Sequence, residues 1–289
     1  MEEFIEMRIY MEYAHLLFKK TDGKNLGDSV KLIKVNTKSD LYEQIKVVYA
    51  KLWRKKKTFF FSSWQTTRTY TAREMSEARL LNIVPRKAYY IFGEDYGTKY
   101  DESYACPTCG SGGRQISPLK LCKRQYTANQ DISRTLCNEI VVSNRFVDFV
   151  QKNGLRGLEF GPVYIGGKLS NDCSQLILPP NAANCIDLSP QTKFGADPIL
   201  RDWDAGSKSE VYICPNGDNI GLNPLSEAYV LESPVLDNYD FFYSRQTFGV
   251  RRGYLRPRPL MFCSNRMMRL IKENDIKGFY FEVAHVVDA

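Results

Sequence analysis

The segment VSNRFVDFVQKNGLRGLEF at 142–160 returns in altered form as CSNRMMRLIKENDIKGFYF at 263–281. Aligned on Ser-Asn-Arg, the two share Ser143/Ser264, Asn144/Asn265, Arg145/Arg266, Asn153/Asn274, Gly157/Gly278 and Phe160/Phe281. A chain that repeats so specific a pattern must build the same local structure twice. Each serine sits where an N-cap belongs, its hydroxyl accepting an amide that the first helical turn leaves unpaired. Phe146, Phe149 and Val150 answer to Met267, Leu270 and Ile271 three, six and seven residues past the cap, which predicts two short amphipathic helices. Gly154 suits the left-handed residue that ends the first, and Asn274 lies near the end of the second. Apolar runs at 158–160 and 279–283 follow, so each unit reads as a capped helix feeding a strand.

The correspondence extends upstream. Cys106-Pro107-Thr108-Cys109-Gly110 precedes Ile116-Ser117-Pro118-Leu119, and Cys214-Pro215-Asn216-Gly217 precedes Leu222-Asn223-Pro224-Leu225. The first cysteine lies 37 residues before the cap serine in one case and 50 in the other. The sequence therefore places an insertion in the second unit, around Tyr239 to Tyr243, and insertions collect in surface loops where binding residues accumulate.

Cys-Pro-x-Cys-Gly has the form of a zinc knuckle, two thiolates on a tight turn with glycine supplying the positive φ that aims backbone N–H groups at sulfur. Cys106 and Cys109 supply two of four ligands. Cys122 or Cys137 is a candidate to complete the set, since Cys214 has no partner at the spacing of the first turn and the histidines are only His15 and His285. A tight turn that keeps its cysteines without metal explains the motif as well.

These motifs, with the repeated Ser-x-Arg helix and Gly-x-x-Phe strand, resemble the bacterial double-CxxCG proteins and the wider group of immunity proteins that protect cells from polymorphic toxins. The resemblance covers roughly 94–289. It implies a non-enzymatic cytoplasmic protein that binds and neutralises a cognate toxin. The missing second CxxC departs from the family pattern and bears on the metal more than on the fold.

Residues 1–93 read as a separate α/β segment. Leu41, Ile45, Val48, Tyr49 and Leu52 form a helical stripe, a strand follows from about Thr58, and Thr71-Ala72-Arg73-Glu74 has the form of a capping box. The expected second helix runs to about Asn82, is stopped by Pro85, and is followed by a strand over RKAYYIF. The fold expected is thus α+β: an N-terminal α/β segment at 1–93, a first knuckle and helix–strand unit at 94–170, and a second, degenerate unit at 171–289.

With 43% hydrophobic residues in 289, the chain can bury one large core or two ordinary ones. No stretch approaches the length of a membrane span, the N-terminus lacks the pattern of a secretory signal, and the eight cysteines read as thiols; a cytoplasmic location without membrane contact is the expectation. Catalytic signatures such as HExxH, GxSxG and the phosphate-binding glycine loop are missing. The carboxylates within 93–102 and the pair in Asp202-Trp203-Asp204 read as polar loops, so no catalytic residue is assigned. The net charge of +7 has its densest run at 51–57, which reads as the solvated end of a helix. Tyr239, Tyr243, Arg245, Arg251 and Arg252 are the expected partner-binding residues, with Phe241 buried and Tyr239 and Tyr243 partly exposed. Together with Arg256, Arg258, Phe248 and Tyr254, the same arginines keep a zinc-ribbon-like nucleic-acid-binding reading open as the alternative.

Overall fold

The computed structural model describes residues 1–19, 22–56, 60–123, 129–177, 183–199 and 211–288; Asp202-Trp203-Asp204 and Lys57 lie outside them. The protein is mixed α+β and divides into two units. One comprises Met1–Met75 with residues 195–199, and the other the remaining described residues.

In the first unit β1 (Glu2–Tyr10), β2 (Lys24–Leu26), β3 (Val30–Asn36) and β4 (Phe61–Thr69) form an antiparallel sheet in the order β2-β3-β1-β4. Alternation along β1 buries Ile5, Met7 and Ile9. The expected helical stripe is real: α1 (Asp40–Lys56) buries Tyr42, Ile45 and Tyr49 in the same core, and the Ser39 hydroxyl accepts the Tyr42 amide at 3.3 Å. Lys51, Arg54 and Lys55 are exposed at its end. The capping box also forms, with the Glu74 amide donating to Thr71 Oγ1 at 3.2 Å and the Thr71 amide to Glu74 Oε2 at 2.7 Å.

The helix that this box opens stops at Glu77 rather than near Asn82. Residues expected to be its end are instead strand β5 (Leu80–Pro85), with Leu80, Leu81 and Ile83 buried, and the expected strand over RKAYYIF makes only an isolated bridge from Ala88 to Arg134. Tertiary pairing overrides the local signal here, because β5 fills a slot between two strands from the far end of the chain. The boundary drawn at residue 93 therefore falls inside the second unit.

That unit carries two large sheets besides short two-stranded pairings such as Tyr100–Asp101 with Arg114–Gln115. One contains β6 (Leu119–Leu121), β7 (Ile132–Arg134), β8 (Ile140–Ser143), β9 (Glu159–Ile165) and β10 (Lys168–Ile177), in the order β6-β9-β10-β8-β7. The other contains β5, β11 (Cys185–Ile186), β12 (Ala228–Leu231), β13 (Phe241–Phe248), β14 (Arg258–Ser264) and β15 (Phe279–Val287). Its order is β12-β15-β5-β14-β13-β11. Strand for strand the pairings match: β6 runs parallel to β9 as β12 does to β15, and every other pairing among the five corresponding strands is antiparallel. The place that β10 holds in the first sheet is held in the second by β5, borrowed from before both repeated segments.

Helices α2 (Asn144–Lys152) and α3 (Asn265–Glu273) are each nine residues long. Ser143 accepts the Phe146 amide at 3.1 Å and Ser264 the Met267 amide at 3.2 Å, so both serines are N-caps. The C-caps are Asn153 and Asn274, followed by Gly154 at φ +58° and Asp275 at φ +50°.

The two halves are tied by the same bonds made in both directions. Ser143 Oγ donates to Asp131 Oδ1 at 2.6 Å, Arg145 to Asp131 Oδ2 at 3.1 Å and to the Asn274 carbonyl at 2.8 Å. Ser264 Oγ donates to Asp240 Oδ1 at 3.0 Å, Arg266 to Asp240 Oδ2 at 3.0 Å and to the Asn153 carbonyl at 2.7 Å. Asp131 also accepts the Lys277 amide, and Asp240 the Arg156 amide. Each aspartate thus holds its own half's helix start and the loop after the other half's helix. Gly157 and Gly278 lie at φ +98° and +96° directly against the partner half. A Cβ there would stand 2.3 Å from the Phe241 carbonyl oxygen and 2.5 Å from that of Ile132.

Both aspartates are buried, so their loss strands several donors at once. Asp131→Ala and Asp240→Ala are each expected to cost about 3 kcal/mol, whereas Ser143→Ala and Ser264→Ala cost about 1 kcal/mol. Urea unfolding of the four variants checks this; an aspartate variant no less stable than its serine counterpart contradicts the network.

Candidate metal centre

The two Cys-Pro turns fold alike. The Cys106 amide donates to the Ser111 carbonyl and the Cys214 amide to the Asn219 carbonyl, both at 2.7 Å. Gly110 closes the first turn onto the Cys106 carbonyl at 2.8 Å and Gly217 the second onto the Cys214 carbonyl at 2.9 Å, at φ +77° and +79°. These φ values are why glycine follows each cysteine turn.

The turns meet. Cys106, Cys109, Cys214 and Asp218 bring three sulfurs and a carboxylate oxygen within 4.8 Å of one another. Cys106 and Cys214 Sγ are 3.7 Å apart, and Asp218 Oδ2 lies 3.8 Å from Cys214 Sγ. Four donors on a tetrahedron with zinc–sulfur bonds of about 2.3 Å are separated by about 3.8 Å along each edge, so the spacing suits that geometry. Three soft sulfurs and one carboxylate also suit zinc over magnesium or calcium. This group can hold a metal ion.

The surroundings treat the thiols differently. The backbone N–H groups of Cys109 and then Thr108 face the Cys106 sulfur and lower its pKa, as the knuckle form requires. Cys109 is buried, and desolvation pushes its thiol up to about 11 against the bond to Ser111. Ser111 Oγ in turn bonds Thr247 Oγ1 at 2.7 Å, and Thr247 donates to the Asp218 carbonyl at 2.7 Å. The first turn, the second turn and β13 are thereby connected beside the sulfurs.

Cys122 and Cys137, the expected completing ligands, are not in this group. Cys137 donates to the Tyr254 carbonyl at 3.1 Å, with its thiol pushed up to about 12 by burial, and Cys122 lies against Tyr96. Cys214, left unpartnered by the sequence reading, takes the place they were given, because the two turns approach each other face to face. The signal for this was spacing: Asp131 follows Cys106 by 25 residues and Asp240 follows Cys214 by 26, so the halves stay in register up to these aspartates.

The extra length of the second half lies further on. Ser143 follows Asp131 by 12 residues and Ser264 follows Asp240 by 24, so the insertion is the far part of the β13–β14 hairpin. Residues 239–243 are therefore not a surface insertion. Phe241 is buried and Tyr239 half-exposed as expected, the latter packing on the core around Phe242, but Tyr243 is 2% exposed, its hydroxyl donating to the Ile177 carbonyl at 3.2 Å. So deeply buried, Tyr243 offers no exposed surface to a protein partner.

The expected arginines are present on the hairpin and largely engaged. Arg245 pairs with Asp187 at 2.9 Å, and Arg251 with Glu102 at 2.8 Å while its chain covers Gly110. Arg256 makes a bidentate pair with Glu94 at 2.8 and 3.0 Å, reaches Glu102, and stacks 3.9 Å from the centre of the Tyr100 ring. Arg252 is exposed near the tip, where its backbone pairs with Leu255. Among the described residues no helix is long and apolar enough to cross a membrane.

No family model matches the chain, and no curated protein matches it.

The geometry predicts that metal-free protein takes up about one equivalent of Zn2+ per chain. Cys214→Ser is expected to abolish uptake as fully as Cys109→Ser, while Cys122→Ser and Cys137→Ser keep it. Elemental analysis and zinc titration of the four variants decide between the ligand sets, and zinc loss in Cys137→Ser with retention in Cys214→Ser would restore the sequence-drawn one.

Proposed function

We propose that the chain is a non-enzymatic, cytoplasmic protein-binding protein, an immunity or antitoxin protein of the kind its motifs resemble. In this reading zinc is its structural metal, held by Cys106, Cys109, Cys214 and Asp218. The two halves of the second unit are degenerate copies of one knuckle, helix and strand unit. A set of four protein donors suits a structural zinc, since a catalytic one keeps a position open for water or substrate. Bound there, the metal would join the two Cys-Pro turns, so its contribution is to folding.

The observation that carries the choice of partner is the state of the hairpin arginines. Arg245, Arg251 and Arg256 are each matched by a carboxylate. Phosphate contacts would first have to break those pairs, which weakens the nucleic-acid alternative. What the same region does offer is apolar surface. Tyr104 and Ile213 lie within two residues of the cysteines and are 56% and 74% exposed, and Tyr254 and Leu255 are exposed on the hairpin that covers Gly110. Exposed aromatic and aliphatic side chains beside arginine are what interface cores favour.

The reading predicts that co-expression of this chain relieves the toxicity of a toxin encoded beside it, and that the two purify as a complex. Ile213→Ser with Tyr254→Ser should weaken that complex at least about tenfold without lowering the melting temperature, since each exposed anchor contributes about 1 kcal/mol or more. The complex should survive a rise from 50 to 200 mM salt, whereas binding through six or more phosphates falls by about a thousandfold over that range. Salt-sensitive binding to random oligonucleotides, with no protection against any toxin, would establish the nucleic-acid alternative instead.

A further inference from the structure

The second unit contains a cleft of about 940 Å³ between strands of its two halves, lined among others by Tyr100, Gln115, Asn138, Gln175 and Arg258. That volume falls in the range of small-molecule sites. Arg258 at its wall, and Arg134 behind it across Asn138, differ from the arginines near the hairpin tip. Arg258 and Arg134 both donate to one acceptor, Asn138 Oδ1, the latter at 2.7 Å. Asn138 itself sits at φ +67° in the turn between β7 and β8, a backbone state that few residues other than glycine and asparagine accept.

Among the described residues neither guanidinium has a carboxylate partner. Both are half-buried, and burial lowers both pKa values; Arg258 is pushed down to about 9, first by desolvation and then by the charge of Arg134. A guanidinium carries five N–H donors, and a single amide oxygen shared by two of them leaves most unmet. The arrangement is poor as an internal contact and good as half of one. Arg258 is also held in place, its guanidinium 4.9 Å from the centre of the Phe248 ring.

The acids nearby do not fill the gap. Glu139 is engaged by the Thr135 hydroxyl and by Tyr100 OH at 3.0 Å, and Asp101 accepts the Ser103 amide at 2.9 Å. Gln115 and Gln175 bond each other through both amides. Among the described residues, the guanidinium of Arg258 thus keeps N–H groups that no carboxylate of the cleft engages.

We propose that this cleft binds a small oxyanionic ligand, a carboxylate or phosphate compound, whose charged end is held by Arg258 with Arg134 reinforcing the field behind it. The planar fork of a guanidinium matches the paired oxygens of both groups. None of the four candidate metal ligands lines the cleft, and the proposal does not rest on the partner-binding reading.

The test uses the full chain with its metal in place, melted in sodium phosphate, sodium succinate or sodium chloride at matched ionic strength. Phosphate or succinate should raise the melting temperature saturably above the chloride value, and whichever does so names the source of the oxyanion. Arg258→Gln and Arg134→Gln should each melt no lower than wild type without ligand, having lost a like-charged neighbour. Arg258→Gln should weaken the anion's apparent affinity about tenfold or more, the effect of one charge-assisted hydrogen bond, and Arg258→Lys should weaken it while keeping the charge. Equal shifts in all three salts, or an affinity unchanged in both Gln variants, overturns the proposal. So does an Arg258→Gln chain that fails to fold, since the arginine would then be structural.

Discussion

Asp131 and Asp240 hold the second unit together. Each carboxylate receives the cap serine and the arginine of its own half and a backbone amide from the loop after the other half's helix. The arrangement has the logic of a two-fold interface, in which the contact made by one side is made back by the other. It also explains why the most conspicuous shared residues are Ser, Asn, Arg and Gly rather than apolar ones. Apolar side chains of similar size can replace one another in a core, as Phe146 and Met267 do. A carboxylate met by a hydroxyl, a guanidinium and an amide accepts no such exchange. Nor does a glycine whose missing Cβ lets the partner's carbonyl approach.

What was legible in the sequence follows that division. Caps and helix lengths were legible because they depend on residues a few positions apart. The capping box at Thr71 and the stripe of α1 were legible for the same reason. Strand β5 was not, because its residues continue a helical-looking stretch and only the slot between β14 and β15 makes them extended. The metal group was half legible: the knuckle declares Cys106 and Cys109, but Cys214 and Asp218 are joined to them only by the approach of two turns about a hundred residues apart in sequence. Tyr243 misled for the opposite reason. An aromatic run beside arginines reads as surface, yet in β13 successive residues of a strand flanked on both edges are buried on both faces.

The cysteine group and the aspartate pair both lie where the halves meet, and both use matching elements from each: two Cys-Pro turns at one site, two helix starts at the other. The cysteine set is the less symmetric. Where the first turn offers Cys109, the second has Gly217 and then Asp218. Tetrahedral coordination asks for four donors without asking that they be alike, so a carboxylate one residue further on can stand in for a thiolate. The aspartate network has no such latitude.

The second half's 12 additional residues lengthen its β13–β14 hairpin, and this asymmetry separates two kinds of arginine. Near the tip, Arg251 and Arg256 reach back to Glu102 and Glu94 of the first half, so their charges are used in holding the hairpin over the first knuckle. At its base, Arg258 meets Arg134 instead of an acid. An exposed like-charged pair would simply be hydrated at little cost. Half-buried beside the cleft, with one asparagine oxygen between them, the two carry a desolvation cost that this shared oxygen and the Phe248 ring under Arg258 offset only in part. Fold stability alone gives no reason to keep that pair, and an anion seated between the two halves does.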